Sequence, residues 1–269
     1  MVTGAAGGIG GATARRLSEE GVRVVVVDID GDAASAVADS LPGEALGIQA
    51  DVSAEEDVDR YINAAVERFG RIDLHHLNAG IVGSVVPITD VTVADFDRVM
   101  AVNLRGPFLG LRGAFRQYFA QGGGGGAIVV TASIASLRGS SDLFPYHASK
   151  HGVLGLVRNS AVYGGPLGVR VNAIAPGIVP TDLFANDPDA PGGGNDMARR
   201  AMTTPLRRPG RTDEMASVVA FLLSDDSAYM TGEVVSVDGG ATAVNTVRPS
   251  GGAGAWETAE LDARTAQWP

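Results

Sequence analysis

Thr3-Gly4-Ala5-Ala6-Gly7-Gly8-Ile9-Gly10 opens the chain, and the apolar run Val22–Asp28 (VRVVVVD) follows a helical stretch behind it. A β-branched run that ends in an acid reads as a buried parallel strand. Between strand and helix, Gly4 permits a tight turn, Gly8 lets backbone approach a pyrophosphate, and Gly10 lets helix and strand pack. The helix N-terminus at Ile9 supplies N–H donors and a partial positive charge to phosphates. In a chain with 37 glycines the octet alone is weak evidence. It gains force because a strand ending in an acid follows at about 20 residues, the dinucleotide-binding spacing.

That acid is Asp28. Its carboxylate is placed to accept from both hydroxyls of an adenosine ribose and to repel a 2′-phosphate. No arginine lies within Ala5–Gly7, and Ile29 and Asp30 follow, so nothing basic is placed to hold such a phosphate. NAD is expected over NADP. The plainer alternative for Asp28 is a strand-end turn residue.

Further strand-like runs recur at Ala45–Ala50, Asp73–Asn78, Ala127–Ala132, Val169–Ala175 and Val234–Val237. Helical periodicity occupies Ile9–Glu20, Asp32–Leu41, Ala54–Phe69, one long stretch Val93–Gln121, Tyr146–Tyr163 and Thr212–Leu223. Alternation of this kind predicts a single α/β domain over residues 1–240: a Rossmann-like doubly wound parallel sheet of about seven strands, helices on both faces, right-handed crossovers. Asp182–Thr204, rich in Pro, Gly and Asp, reads as a substrate loop, and Gly122–Gly126 as slack loop only. Residues 241–269 read as a tail, either one short amphipathic helix over Ala255–Gln267 or a disordered extension. The sharper expectation is that this tail packs on a neighbouring subunit. The first strand is a stub of Met1–Thr3, and a central strand that short leaves neighbouring backbone groups unpaired. The expectation is a native start several residues upstream.

A net charge of −10 and a pI near 4.8 argue against nucleic acid or anionic membrane as partners. The absence of cysteine removes disulfides and thiolate metal sites. No apolar run approaches the roughly 20 residues of a membrane span. Together these imply a soluble cytoplasmic protein.

Tyr146-His-Ala-Ser-Lys150 opens a helix, and a separation of four puts both side chains on one face. A free tyrosine titrates near pH 10, too high for a neutral-pH base, and a fixed ammonium beside it favours the phenolate. Of the 21 basic residues 20 are arginine, so Lys150 is the only lysine. A tyrosine–lysine pair at helical spacing is by itself common, and most such pairs lie on surfaces.

Taken with TGAAGGIG at Thr3–Gly10, Asp51-Val52, Asn78-Ala79-Gly80, Asn103, Ser133 and PGIVPT at Pro176–Thr181, the chain resembles the short-chain dehydrogenase/reductase family over Val2–Gly240. Ser133 lies 13 residues before Tyr146, as that pattern asks. The resemblance implies an NAD(H)-dependent oxidoreductase that interconverts a secondary alcohol and a ketone. Tyr146 would exchange a proton with the substrate oxygen. Lys150 would depress the tyrosine pKa and bond the nicotinamide ribose. Ser133 would hydrogen-bond the substrate oxygen, and Asn103 would hold a water extending the relay from Lys150. Asp51 and Val52 would sit at the adenine, Asn78, Ala79 and Gly80 along the cofactor cradle, and Pro176, Gly177, Val179 and Thr181 at the nicotinamide. Such enzymes are usually dimers or tetramers, so a homo-oligomer is expected. Hydroxyl donors converging on an oxygen that gains charge fit this chemistry. An arginine would replace Lys150 poorly, because its planar fork differs from a compact ammonium.

One departure stands out: the family commonly has two asparagines before Ala-Gly, and here the first is Leu77, after His75 and His76. Neighbouring strand residues face opposite ways, so the histidines cannot both face the cofactor and read as packed or partly exposed. Leu77 is expected to loosen only a cofactor-side contact. His147 and His151 lack a third ligand and the glutamate of HExxH, and no metal is expected. Ser133 has no GxSxG elbow of a hydrolase. The alternatives are a 3-oxoacyl thioester reductase or a sugar dehydrogenase of the same family, a non-catalytic NAD-binding sensor, or an inactive N-terminally truncated product.

Overall fold

The structure, a computed structural model, describes residues 1–181, 183 and 194–244. Among these residues seven parallel strands form one sheet in the order β3-β2-β1-β4-β5-β6-β7. They are β1 (Val2–Thr3), β2 (Val24–Asp28), β3 (Ala45–Gln49), β4 (Leu74–Leu77), β5 (Gly126–Thr131), β6 (Val169–Pro176) and β7 (Val234–Val237). The chain winds outward from β1 to β3, then returns to β4 and winds outward again to β7. The strand order reverses between β1 and β4, and ligands of such sheets bind beyond the strand C-termini at that point.

Alternation in β2 shows how sequence sorts the two faces. Val24 and Val26 pack with α1 (Gly8–Glu19), α2 (Gly31–Ser40) and α8 (Thr212–Leu223). Val25 and Val27 pack on the other face with α3 (Glu55–Phe69). All four are buried, which is why the run is continuously β-branched instead of alternating apolar and polar. The second face continues over β4 to β6, where Leu77, Ile128, Val130, Val171 and Ala173 pack against α5 (Gly106–Ala120) and α6 (Phe144–Gly164).

Four expectations need correction. The stretch Val93–Gln121 is not one helix: α4 (Val93–Met100) and α5 are joined by a π-helical turn, Ala101–Arg105. Part of the stretch read as loop, Asp182–Thr204, carries the helix α7 (Gly194–Ala201), where Asp196 pairs with Arg199 and Arg200. The glycine run is more than slack: Gly126 starts β5, and a Cβ there would lie 2.4 Å from Tyr118 Cζ. The stub is better paired than expected. The Met1 ammonium donates to the Leu74 carbonyl at 2.9 Å, and the His76 N–H to the Met1 carbonyl at 2.8 Å. Burial lowers that amino group to about 5. The tail beyond residue 244 lies outside the described residues.

Candidate active site

The glycine turn is built so closely that side chains are excluded. Gly4 has a φ of +62°, and a Cβ there would lie 2.7 Å from Ala79 Cα, at the end of β4. At Gly10 it would meet the Gly4 carbonyl oxygen at 2.1 Å. Ile9 packs into the core beneath. No side chain caps α1 and no acid stands in its first turn, so no side chain competes for the N–H groups beginning at Gly8. A backbone cradle of this kind fits a dinucleotide pyrophosphate.

Asp28 is tied to the same turn. One carboxylate oxygen accepts from the Ala6 N–H at 2.9 Å and the other from the Asp30 N–H at 3.2 Å. The second bond is a strand-end turn contact, so the plainer role is present too. Each oxygen keeps a lone pair for a further donor. Asp51 Oδ1 accepts from the Ser53 N–H and hydroxyl at 2.8 and 2.7 Å, ahead of α3. Val52 lies against Gly106, where a Cβ would be 3.0 Å from Val52 Cγ2.

Directly after β4 comes Asn78, whose Nδ2 donates to the Gly4 carbonyl at 3.0 Å and whose Oδ1 accepts from the Thr131 hydroxyl at 3.0 Å. Thr3 Oγ1 accepts from the N–H groups of Asn78 and Ala79 at 3.0 and 3.3 Å. From α6, Lys150 Nζ donates to the Thr131 carbonyl at 2.8 Å. Gly80 lies between Lys150 and Asn103: a Cβ there would be 3.3 Å from Asn103 Oδ1 and 3.6 Å from Lys150 Nζ. Asn103, on the π turn, accepts from Ile81 N–H and donates to the Ile81 carbonyl, both at 2.8 Å, and to Ser149 Oγ at 3.2 Å. Its amide therefore clamps the segment after β4. Both amide protons are spent on protein acceptors.

The β6 end reaches the cradle from the other side. Gly177 N–H bonds the Val237 carbonyl at 3.0 Å, Val179 is buried in the core, and the Ile178 carbonyl accepts from Gly210 N–H at 2.8 Å. Thr181 Cγ2 sits 3.4 Å from where a Gly8 Cβ would be, so Pro176–Thr181 closes over the start of α1.

Between the end of β5 and the start of α6, the Ser133 hydroxyl accepts from the Ala135 N–H at 3.1 Å on the side of the Tyr146 phenol. Lys150 Nζ lies 5.7 Å from the centre of the Tyr146 ring. Burial pushes the phenol up and the Ser133 hydrogen bond pulls it down. Burial also lowers the Lys150 ammonium, to about 8. Desolvation thus works against the charged form of both members of the pair.

Several important residues carried no sequence signal. Thr131 bridges Asn78 and Lys150, yet it reads only as the end of an apolar strand. Ser149 and Ile81 hold Asn103 without belonging to any motif. Leu77 also differs from expectation: it is buried against α5, where a Gly110 Cβ would lie 2.7 Å from its Cδ2. It fills core there.

The family described as enoyl-(acyl carrier protein) reductase matches residues 4–242. Levodione reductase of Leifsonia aquatica is 43% identical over 90% of this chain and 93% of its own length. The chain belongs to the short-chain dehydrogenase/reductase family. Cyclohexanol dehydrogenase of an Acinetobacter strain is 39% identical over 90% of the chain and 94% of its own. Cis-4-hydroxycyclohexanecarboxylate dehydrogenase of Sinomonas cyclohexanicum is also 39% identical, over 91% and 96%. Among solved structures, levodione reductase superposes with a TM-score of 0.85 at 42% identity, covering 90% of this chain and 96% of that one. An NAD+-bound xylitol dehydrogenase gives 0.79 at 35%, covering 89% and 96%. These relatives of the enzyme are oxidoreductases of CH–OH groups, and no helix among the described residues is long and apolar enough to cross a membrane.

Proposed function

We propose that this enzyme interconverts a secondary alcohol on a six-membered carbon ring and the corresponding ketone, using NAD(H). The observation that carries the reading is the buried Lys150 ammonium, held on the Thr131 carbonyl 5.7 Å from the Tyr146 ring, with Ser133 on the phenol side. Two relatives named for cyclohexanol and hydroxycyclohexanecarboxylate support the ring.

Gly4, Gly8, Ile9 and Gly10 would hold the pyrophosphate, Asp28 the adenosine ribose, and Asp51 and Val52 the adenine. Asn78, Ala79 and Gly80 would line the cradle, Tyr146 and Lys150 would meet the nicotinamide ribose, and Pro176, Gly177, Val179 and Thr181 the nicotinamide. NAD+, when bound, supplies the acceptor for the hydride that leaves the carbinol carbon. Tyr146, as phenolate, accepts the hydroxyl proton of the alcohol, and in reduction returns it to the ketone oxygen. Ser133 donates to that oxygen and holds it beside the phenol. Lys150 keeps a positive charge next to the phenolate, offsetting the burial that disfavours it. Asn103 holds Ile81 and Ser149, and so the wall behind Lys150; a water held there would extend the relay. The carboxylate of Asp28, tied to the turn, supports NAD over NADP, as does the NAD+-bound neighbour. The same reading takes the enzyme to be a cytoplasmic homo-oligomer.

The test is a panel of ring and open-chain secondary alcohols with NAD+, alongside 3-oxoacyl thioesters and sugars, and the Tyr146→Phe variant. Turnover highest on cyclohexanols, with Tyr146→Phe reduced at least about 100-fold, is expected. Full activity of Tyr146→Phe overturns the mechanism; NADH binding without any turnover means a sensor.

A further inference from the structure

His76 is fully buried at the centre of the sheet, and the proposed chemistry does not use it. A buried imidazole costs stability unless its nitrogens are paired. Nε2 lies 2.9 Å from Thr131 Oγ1, whereas Nδ1 has no hydrogen-bond partner among the described residues.

Proton bookkeeping gives this contact a direction. The Thr131 hydroxyl has one proton, and it goes to Asn78 Oδ1. The Asn78 amide cannot be turned round, because its Nδ2 is committed to the Gly4 carbonyl. Thr131 Oγ1 must then accept from His76, which requires the Nε2–H tautomer and leaves Nδ1 as the bare nitrogen. Burial and the nearby amino terminus lower the imidazole to about 3, so it stays neutral.

The sheet explains why these groups meet. His76 stands opposite Val129 in the parallel β4–β5 pair, so Thr131 is two residues further along on the same face. Hydrogen bonds therefore run from His76 to Thr131, to Asn78, to the Gly4 carbonyl, crossing β4, β5 and the turn after β1. The main chain of the same Thr131 accepts from Lys150. A single threonine touches both the cradle and the reacting end.

We propose that His76 is a positioning residue of the coenzyme cradle: its Nε2–H fixes the Thr131 hydroxyl on Asn78, and through Asn78 the glycine turn. This rests on the reading of Thr3–Gly10 as the cradle for NAD. With an apolar side chain at position 76 the hydroxyl loses the donor that sets its rotation, and Asn78 loses a fixed partner.

The experiment measures NADH binding by fluorescence titration for wild type, His76→Leu, Thr131→Val, the double variant and His76→Gln, whose Nε2 can replace the donor. It adds the imidazole nitrogen spectrum of the labelled wild type. His76→Leu and Thr131→Val should each weaken binding about 5-fold, the size of one buried hydrogen bond. The double variant should be no weaker than Thr131→Val, and His76→Gln should recover most of the loss. The spectrum should show the Nε2–H tautomer. Additive losses, unchanged binding in His76→Leu, or an Nδ1–H tautomer overturns the proposal. If His76→Leu does not fold, Thr131→Val and the tautomer decide it. A wild type that binds no NADH overturns the coenzyme reading and the proposal with it, whereas normal wild-type binding with unaltered variants overturns the proposal alone.

Discussion

Lys150 Nζ donates its 2.8 Å hydrogen bond to the main-chain carbonyl of Thr131, and among the described residues it forms no ion pair. The only lysine of the chain is therefore a buried cation stabilised by dipoles. Its folded pKa, about 8, lies below the ordinary 10.5. Between those values the unfolded chain binds more protons than the folded one, so stability rises with pH across pH 8–10.5. Below pH 8 the full penalty is present. Lys150→Met should thus be inactive yet more stable than wild type at pH 7, by on the order of 3 kcal/mol, with the gap closing by pH 10.5. Chemical denaturation at both pH values checks this, and a wild type more stable than Lys150→Met at pH 7 contradicts it.

Asp28 accepts from the Ala6 N–H, so its charge and its scaffold role separate by substitution. Asn keeps an acceptor for Ala6, removes the charge and gives up only the exposed 3.2 Å bond from the Asp30 N–H. Asp28→Asn should keep the fold, with Tm within a few degrees, and narrow the preference for NAD+ over NADP+ at least about 10-fold, since like-charge repulsion of a phosphate is lost. Ratios of kcat/KM for the two coenzymes measure it. An unchanged ratio would show that the carboxylate does not face the ribose 2′ position.

The strand–helix alternation was readable because parallel strands buried on both faces must be continuously apolar, as Val24–Val27 are. The element types followed, and so did the family motifs. What was not readable depended on partners distant in sequence. The break at Ala101–Arg105 leaves the apolar periodicity of Val93–Gln121 intact, so nothing local announces it. Thr131 matters only because β5 lies beside β4, and its hydroxyl lands on Asn78, 53 residues earlier. Leu77 looked like a lost asparagine because its motif position, not its packing against Gly110, was visible.

Gly80 offers a test of the space between Asn103 and Lys150. Its φ is outside the left-handed region, so an alanine brings no backbone strain. The added methyl would stand 3.3 Å from Asn103 Oδ1 and 3.6 Å from Lys150 Nζ. Gly80→Ala should fold and lose kcat several-fold, because Asn103 must give by a few tenths of an ångström and the methyl occupies space beside the Lys150 ammonium, where misplacement of reacting groups is costly. Equal kcat in the two proteins would show that nothing in the reaction occupies that gap.

His147 follows Tyr146 and ties down the segment leading into α6. Its Nδ1 lies 2.8 Å from the Arg138 carbonyl, and Arg138 in turn donates to the Thr242 carbonyl beyond β7. A carbonyl can only accept, so Nδ1 carries the proton, whether or not Nε2 does. Asn places an amide nitrogen the same number of bonds from Cα as Nδ1; Leu fills the volume without a donor. His147→Leu should raise the alcohol KM several-fold, about the value of one hydrogen bond, with the NAD+ KM unchanged, while His147→Asn should stay near wild type. Steady-state kinetics with each substrate varied in turn separate the two. A matched rise in both KM values, or an Asn variant as impaired as Leu, would mean that the bond to Arg138 does not shape the alcohol site.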